Sequence, residues 1–394
     1  MTGRHLQSTG LMTVAAILVS SALNYAYTLL LGRVLDAEGY GAYASFTSLF
    51  MIAAALPVAF QQAQTRRSDG RLSRMGVTWG ALAGALLLLG AVSLGPLLGV
   101  PAAWMVGFAV ILPALVLLGA WRGAAQRDGR VSAFSGSLVA EHGLKIVLTI
   151  PLLQVMDGPA AAVAATLAGV LLALPLVRPA APDTGPRIRT DAAVPPLALA
   201  AASQSALLYG DVLLGGMLLT AGDAGAYAAA ATLARVVFFA GWAVQVAVFP
   251  LVARGDGAPG RLLGTALGGT LLLAGTPALL FTLWPQTCAA LAFGATVGAQ
   301  VAALLPACAL GTLLLTLGGT VVNHLLAGGN AATVGRSAAL YAGSAAVLTG
   351  LAVALGTTPS ALAVAALVGK GLLLPAAFLV LLSTVTRRPL YVLR

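Results

Sequence analysis

The chain has 394 residues, of which 59% are hydrophobic and only 8% charged; its mean hydropathy is +0.97 and its formal net charge +10. A water-soluble chain needs roughly a quarter of its residues charged to cover its exterior, so this composition excludes a soluble globular protein. The basic excess does not point to a nucleic-acid partner, because the arginines recur in short segments between apolar runs, which is a membrane-topology signal.

Twelve apolar runs follow one another at 10–31, 41–63, 76–98, 102–121, 131–155, 159–177, 196–219, 224–252, 262–284, 302–327, 334–356 and 359–386. Runs of about twenty residues cross about 30 Å of hydrocarbon as helices, the form in which the backbone satisfies its own hydrogen bonds. The first run has a short polar start and no small-residue cleavage site after it, so it is expected to remain as a span. The predicted fold class is an all-α polytopic membrane protein of about twelve transmembrane helices. Its predicted division is an N-terminal six-helix lobe at 1–178, a cytoplasmic linker at 179–195 and a C-terminal six-helix lobe at 196–394. Pro179, Pro182 and Pro186, with Asp183, Arg187, Arg189 and Asp191, argue against a helix in that linker.

An even number of spans puts both termini on one side. The loops on that side then hold Arg4, Arg66, Arg67, Arg71, Arg74, Arg122, Arg127, Arg130, Arg178, Arg187, Arg189, Arg254, Arg261, Arg336, Arg387, Arg388 and Arg394. The opposite loops hold only Arg33, and Lys145, Arg235 and Lys370 fall within spans. The positive-inside rule therefore predicts a multi-pass membrane protein with both termini in the cytoplasm. Cys288 and Cys308 have neither metal-motif nor redox-pair spacing and read as small packing residues.

The two halves repeat each other. At an offset of 184, Gly32, Gly41, Ala42, Tyr43 and Ala44 fall on Gly216, Gly225, Ala226, Tyr227 and Ala228. Farther along the offset is 200, and Pro159, Gly169 and Pro175 fall on Pro359, Gly369 and Pro375. A shift of six spans preserves orientation, so the repeat is parallel, with its pseudo-twofold axis along the membrane normal. The change of offset predicts extra chain between the ninth and tenth runs, around 289–298.

The segment 24–43, from Asn24 through Gly32, Arg33, Asp36, Glu38 and Gly41 to Tyr43, resembles the opening of bacterial polysaccharide-export flippases of the multidrug/oligosaccharidyl-lipid/polysaccharide (MOP) exporter superfamily. Asp211 followed by Gly225, Ala226 and Tyr227, Phe249 with Pro250, and Ala292 with Phe293 and Gly294 extend the likeness. The resemblance implies a MATE-like, V-shaped pair of six-helix bundles working by alternating access. Its implied substrate is an undecaprenyl-diphosphate-linked oligosaccharide, moved across the bilayer for surface polysaccharide biosynthesis. It also implies a transporter rather than an enzyme, monomeric and without cofactor or metal, with a proton or sodium as the possible coupling ion. The drug-exporting MATE branch often relies on an acidic residue in the first span, and 10–31 contains none.

Ionisable residues inside spans mark paths or sites. Glu141, His142 and Lys145 stand together in the fifth run, where Glu141 and Lys145 have the i, i+4 spacing of a helical ion pair. Neutralisation of one by the other and a proton-responsive site both fit that spacing. Asp211 and Arg235 lie at similar depth on consecutive antiparallel runs, which suits either a buried ion pair or an arginine chelating phosphate. Lys370 has Val170 as its repeat mate, and it faces a cavity or pairs with Glu141 or Asp211. The expected substrate-binding set is Arg235, Lys370, Lys145, Asn24 and Tyr25, and the expected ion-coupling set is Glu141, His142 and Asp211. Tyr27, Tyr209, Asn323 and His324 are lesser candidates; Tyr25 and Tyr209 are repeat mates.

Rival readings are a MATE-type cation-coupled small-molecule exporter and an integral-membrane glycosyltransferase, the latter because Asp36 and Glu38 form an acidic pair in the first external loop. No external loop is long enough for the sugar-binding domain that such enzymes add, and no Walker-type segment is present for nucleotide-driven pumping. The orientation makes a direct prediction. Cysteines at Ala181 and Asp256 should be shielded from an impermeant thiol reagent in intact cells, and one at Asp223 should be labelled; labelling at Ala181 but not at Asp223 would reverse the topology.

Overall fold

The computed structural model describes residues 3–66, 70–179, 194–254, 259–327 and 331–386, so residues 180–193 of the expected linker lie outside the described residues. Among the described residues there are fifteen helices: α1 (Gly3–Val34), α2 (Ala37–Ala53), α3 (Ala55–Arg66), α4 (Gly70–Leu97), α5 (Ala102–Arg127), α6 (Val131–Leu152), α7 (Gly158–Val177), α8 (Val194–Leu218), α9 (Ala221–Arg254), α10 (Pro259–Leu283), α11 (Pro285–Phe293), α12 (Ala295–Ala327), α13 (Ala331–Leu355), α14 (Pro359–Gly371) and α15 (Leu373–Thr386). Two breaks share one cause. A proline removes a ladder bond and crowds the carbonyl four residues before it; Pro57 stands four residues after Ala53, and Pro375 four after Gly371, where α2 and α14 end. Each broken pair still serves as one candidate span, Ala37–Thr65 and Pro359–Ser383.

With those pairs joined and the nine-residue α11 set aside, twelve long rods remain, one for each predicted run. Ten are long and apolar enough to cross a membrane, and the other two are α1 and α6. The surroundings these helices need are plain from α4, where Leu89 is 82% and Val92 80% exposed. In water such a face would be costly, and in hydrocarbon it is the ordinary exterior. The chain is a multi-pass membrane protein. The extra residues predicted near 289–298 appear mostly as α11, which begins with Pro285 and stops at Gly294, whose φ of 81° ends the helix.

The described chain divides into two compact units, Met1–Ser205 with Val212–Ala229, and Ala206–Asp211 with Ala230–Arg394. In the first, Phe46, Phe50, Phe108, Tyr27 and Tyr43 form a buried aromatic core; Phe46 meets Phe108 edge-on at 5.9 Å between centroids, and Tyr27 meets Tyr43 at 6.4 Å. Glycines let its helices approach backbone to backbone. A Cβ on Gly80 would lie 2.7 Å from Pro113 Cα, and one on Gly84 would overlap the Ala109 carbonyl oxygen. Such small-residue contacts drive packing in lipid, where apolar burial gives no preference for protein over acyl chain.

In the second unit α12 packs against α10, α11, α14 and α15. Its buried Thr312, Thr316 and Thr320 each donate to the carbonyl four residues earlier. Gln245 of α9 donates to the Thr316 carbonyl and Thr320 Oγ1, both at 3.1 Å, and accepts from Asn323 at 2.5 Å.

Gly84→Leu is expected to cost about 1–3 kcal/mol through overpacking, seen as a lower apparent melting temperature in detergent. Gly136→Leu, on an exposed part of α6 with no atom near the added Cβ, should leave it unchanged.

Candidate functional site

The intramembrane charges gather in two clusters, one in each unit. The first is built on α6, where Ser137, Glu141, Lys145 and Thr149 recur every four residues and are all buried. That spacing is close to one helical turn, so the four side chains form a single polar stripe. Sequence reasoning singled out Glu141, His142 and Lys145 but missed the two hydroxyls that continue the line.

The expected pairing of Glu141 with Lys145 is replaced by another. Helix α5 runs on to Arg127 and carries Arg122, assigned from the sequence to a loop, into the protein at 8% exposure. Arg122 Nη2 lies 2.7 Å from Glu141 Oε2; its Nε donates to Ser137 Oγ at 3.0 Å and Nη2 to the Ser137 carbonyl at 2.9 Å. The guanidinium fork satisfies a carboxylate and two neutral acceptors at once, which a lysine ammonium on the same helix as the carboxylate does not match. The count of cations inside the spans rises accordingly from the predicted three to four.

Lys145, with Glu141 taken, donates to Asn24 Oδ1 of α1 and stands 4.8 Å from the Tyr27 ring centroid. The Tyr27 hydroxyl lies 2.7 Å from Thr149 Oγ1 and 3.4 Å from the Ala162 carbonyl of α7. A buried ammonium is thus cradled by neutral groups and an aromatic face. His142 Nδ1 is buried with no hydrogen-bond partner among the described residues, and Tyr25 lies half-buried on α1.

The second cluster centres on Asp211 of α8, which is wholly buried. Its Oδ2 accepts from Lys370 Nζ of α14 at 2.5 Å, and its Oδ1 lies 3.9 Å from Arg235 Nη2 of α9. Arg235 Nη1 reaches Thr232 Oγ1 at 3.4 Å, and its guanidinium carbon stands 4.4 Å from the Tyr209 ring centroid. Among the described residues, Arg235 Nε and Nη2 meet no hydrogen-bond partner. The carboxylate is thus closely bound by the lysine and only loosely by the arginine. Of the lesser candidates, Tyr209 and Tyr27 underlie the two cations, while Asn323 and His324 lie apart, beside Gln245 and Thr320 around a small cavity.

The clusters share one electrostatic pattern. Arg122 and Lys145 face a single Glu141, and Arg235 and Lys370 face a single Asp211, so each holds one positive charge in surplus. Removing an unpaired ion from water costs several kcal/mol, and in each cluster a tyrosine ring partly offsets that cost. Among the described residues, no three His, Cys, Asp or Glu side chains converge as a metal site.

No protein-family model matches the sequence, and no curated protein does. Solved structures do match it in fold. A multidrug resistance MATE family transporter of the MOP superfamily, in an inward-facing conformation, superposes with a TM-score of 0.75 at 15% identity, covering 96% of this chain and 99% of that one. Lipid II flippase MurJ, in an inward closed conformation, gives 0.76 at 11% identity over 94% and 87%. A MOP superfamily transporter from Pyrococcus furiosus Vc1 (DSM3638), described by the reverse polarity of its binding pocket, gives 0.67 at 16% identity over 97% and 94%. At these identities the likeness carries the fold alone: the chain is a multi-pass membrane protein with the helical architecture of the MOP superfamily transporters.

Proposed function

We propose that this protein is a flippase that moves a lipid-linked oligosaccharide, carried on an undecaprenyl-diphosphate anchor, across the cytoplasmic membrane by alternating access. The reading takes the chain as a monomer of two six-helix lobes, 1–178 and 196–394, with both termini in the cytoplasm. The observation that carries it is the double positive surplus. A diphosphate entering low-dielectric surroundings must stay hydrated or meet fixed cations. Lys145 and Arg235 are buried cations that no carboxylate closely matches. Fixed positive charge suits an anionic lipid head better than a cationic drug, which separates this reading from a cation-exporting MATE.

Arg235 and Lys145 are the phosphate-binding side chains in this account, with Asn24, which accepts from Lys145, and Tyr25 on α1. Arg235 presents Nε and Nη2, the edge that chelates two phosphate oxygens. Lys370, the remaining expected ligand, serves chiefly as the counter-ion of Asp211. Glu141, His142 and Asp211 are the groups through which a coupling proton or sodium would act.

Deleting the protein should leave the lipid-linked saccharide made but held in the cytoplasmic leaflet; a glycan missing one sugar, with export continuing, would favour a glycosyltransferase instead. The two cations of the second cluster should separate by phenotype. Arg235→Ala leaves the Asp211–Lys370 pair intact and should abolish export at normal protein level, with Arg235→Lys partly active. Lys370→Ala leaves Asp211 short of its nearest cation and should lower stability, by about 3–5 kcal/mol for a broken buried pair, read as reduced accumulation. Recovery of export in Arg235→Ala combined with Asp211→Ala would make Arg235 a structural counter-ion rather than a substrate ligand.

A further inference from the structure

The acidic pair Asp36 and Glu38 has no part in either cation cluster. It stands, together with Asp157, on the wall of a cavity of about 520 Å³ within the first unit, at the end where α2 and α7 begin. Small-molecule sites usually enclose roughly 300–1,000 Å³. Asp36 and Asp157 are the N-caps of those two helices: their carboxylates accept from Gly39 N at 2.8 Å and Ala160 N at 3.3 Å, which fixes both side chains. Glu38 is exposed on the first turn of α2. No lysine, arginine or histidine is among the described lining residues, so the cavity has the opposite charge to the two clusters.

Two other lining residues narrow the choice of ligand. Ser45 is only 2% exposed, and among the described residues its hydroxyl makes no hydrogen bond. Its Oγ lies beside Gly216, where a Cβ would come within 2.9 Å of it; both residues line the cavity, and the missing side chain leaves the hydroxyl open to it. A buried hydroxyl left unbonded is costly, and a polar ligand in the cavity removes that cost. Trp104 brings an aromatic ring to the same cavity, half-buried and edge-to-face with Phe46 at 6.3 Å between centroids.

Fixed carboxylate oxygens, a free hydroxyl and an aromatic ring together complement a sugar. Sugar hydroxyls donate to the carboxylates and exchange hydrogen bonds with the serine, and the C–H face of the sugar ring carries the weak positive charge that an aromatic face attracts. Other occupants fit less well. Three carboxylates with no cation among them repel phosphate. Among the described residues, no three His, Cys, Asp or Glu side chains converge to hold a metal ion. An organic cation gains most from desolvated carboxylates or a cage of rings, whereas these carboxylates are exposed and the ring is single.

We propose that this cavity is a saccharide-binding subsite, in which the carboxylates of Asp36, Glu38 and Asp157, the Ser45 hydroxyl and the Trp104 ring hold the sugar end of the substrate. The proposal rests on the flippase reading and deepens it, because it leaves the diphosphate to the buried cations and so sorts the two ends of one molecule by charge. It also gives the acidic pair a binding role that needs no glycosyl-transfer step.

The test uses full-length protein in nanodiscs, in a Cys288→Ser, Cys308→Ala background. The probe is the free oligosaccharide released by mild acid from the cell's own polyprenyl-diphosphate pool, titrated by saturation-transfer NMR, with tetraethylammonium as the comparison ligand. The saccharide should bind saturably and slow the modification of Ala42→Cys, on the cavity wall, by a small thiol reagent. Glu38→Gln and Ser45→Ala should each weaken binding by about three- to tenfold, the effect of one hydrogen bond, and Trp104→Ala by about tenfold or more. Should Trp104→Ala not accumulate, Glu38→Gln, at an exposed position, decides. A saccharide that does not bind, that leaves Ala42→Cys unprotected, or that binds Glu38→Gln and Ser45→Ala as tightly as the parent overturns the subsite. So does tetraethylammonium protecting Ala42→Cys where the saccharide does not, since the cavity would then be a cation site. Movement of the lipid-linked saccharide between leaflets is followed on the same protein in vesicles, which keeps the two claims apart. Movement without saccharide binding faults the subsite alone, and binding without movement faults the flippase reading alone.

Discussion

Burial of charge in a low-dielectric interior is the constraint from which the rest of this structure can be understood. A helix in hydrocarbon settles its own backbone hydrogen bonds, but it does nothing for an ionised side chain, which must find a partner on a neighbouring helix. Glu141 recruits Arg122 from α5, and Asp211 recruits Lys370 from α14. The first pair ties consecutive helices and the second ties helices distant in sequence, and each leaves a second cation with weaker company. The polar stripe of α6 is the same constraint expressed along one helix, since Ser137 accepts from Arg122 and Thr149 meets the hydroxyl of Tyr27, the ring beside Lys145.

Most of the fold was legible in the sequence because hydropathy and span length are local properties. All twelve apolar runs became helices, and the changed repeat offset announced the place of α11. What escaped was tertiary. Arg122 sits at the end of an apolar run and reads as a loop residue; only the presence of Glu141 on the next helix makes its burial tolerable. Likewise the i, i+4 spacing of Glu141 and Lys145 suggested a pair, yet an arginine from α5 meets Glu141 at 2.7 Å while its other donors are satisfied by Ser137. Asp211 and Arg235 were correctly placed at matching depth, but the partner that outcompetes Arg235 comes from 159 residues away. No periodicity reports such a contact.

The glycines tell a complementary story. The structure uses several of them as points of backbone contact. Gly80 and Gly84 weld α4 to α5 through broad packing. Gly41 and Gly225 make a narrower contact at repeat-related positions, beside a sizeable cavity.

The central claim, that the buried positive surplus serves an anionic lipid-linked substrate, is tested most directly by reconstitution. Purified protein in vesicles would be given either a fluorescent saccharide on a polyprenyl diphosphate or a cationic dye, and movement between leaflets or across the membrane followed by an impermeant quencher. The account predicts transbilayer movement of the diphosphate lipid that falls to the protein-free rate in Arg235→Ala, with no transport of the dye. Transport of the cationic dye with no acceleration of the lipid would contradict it.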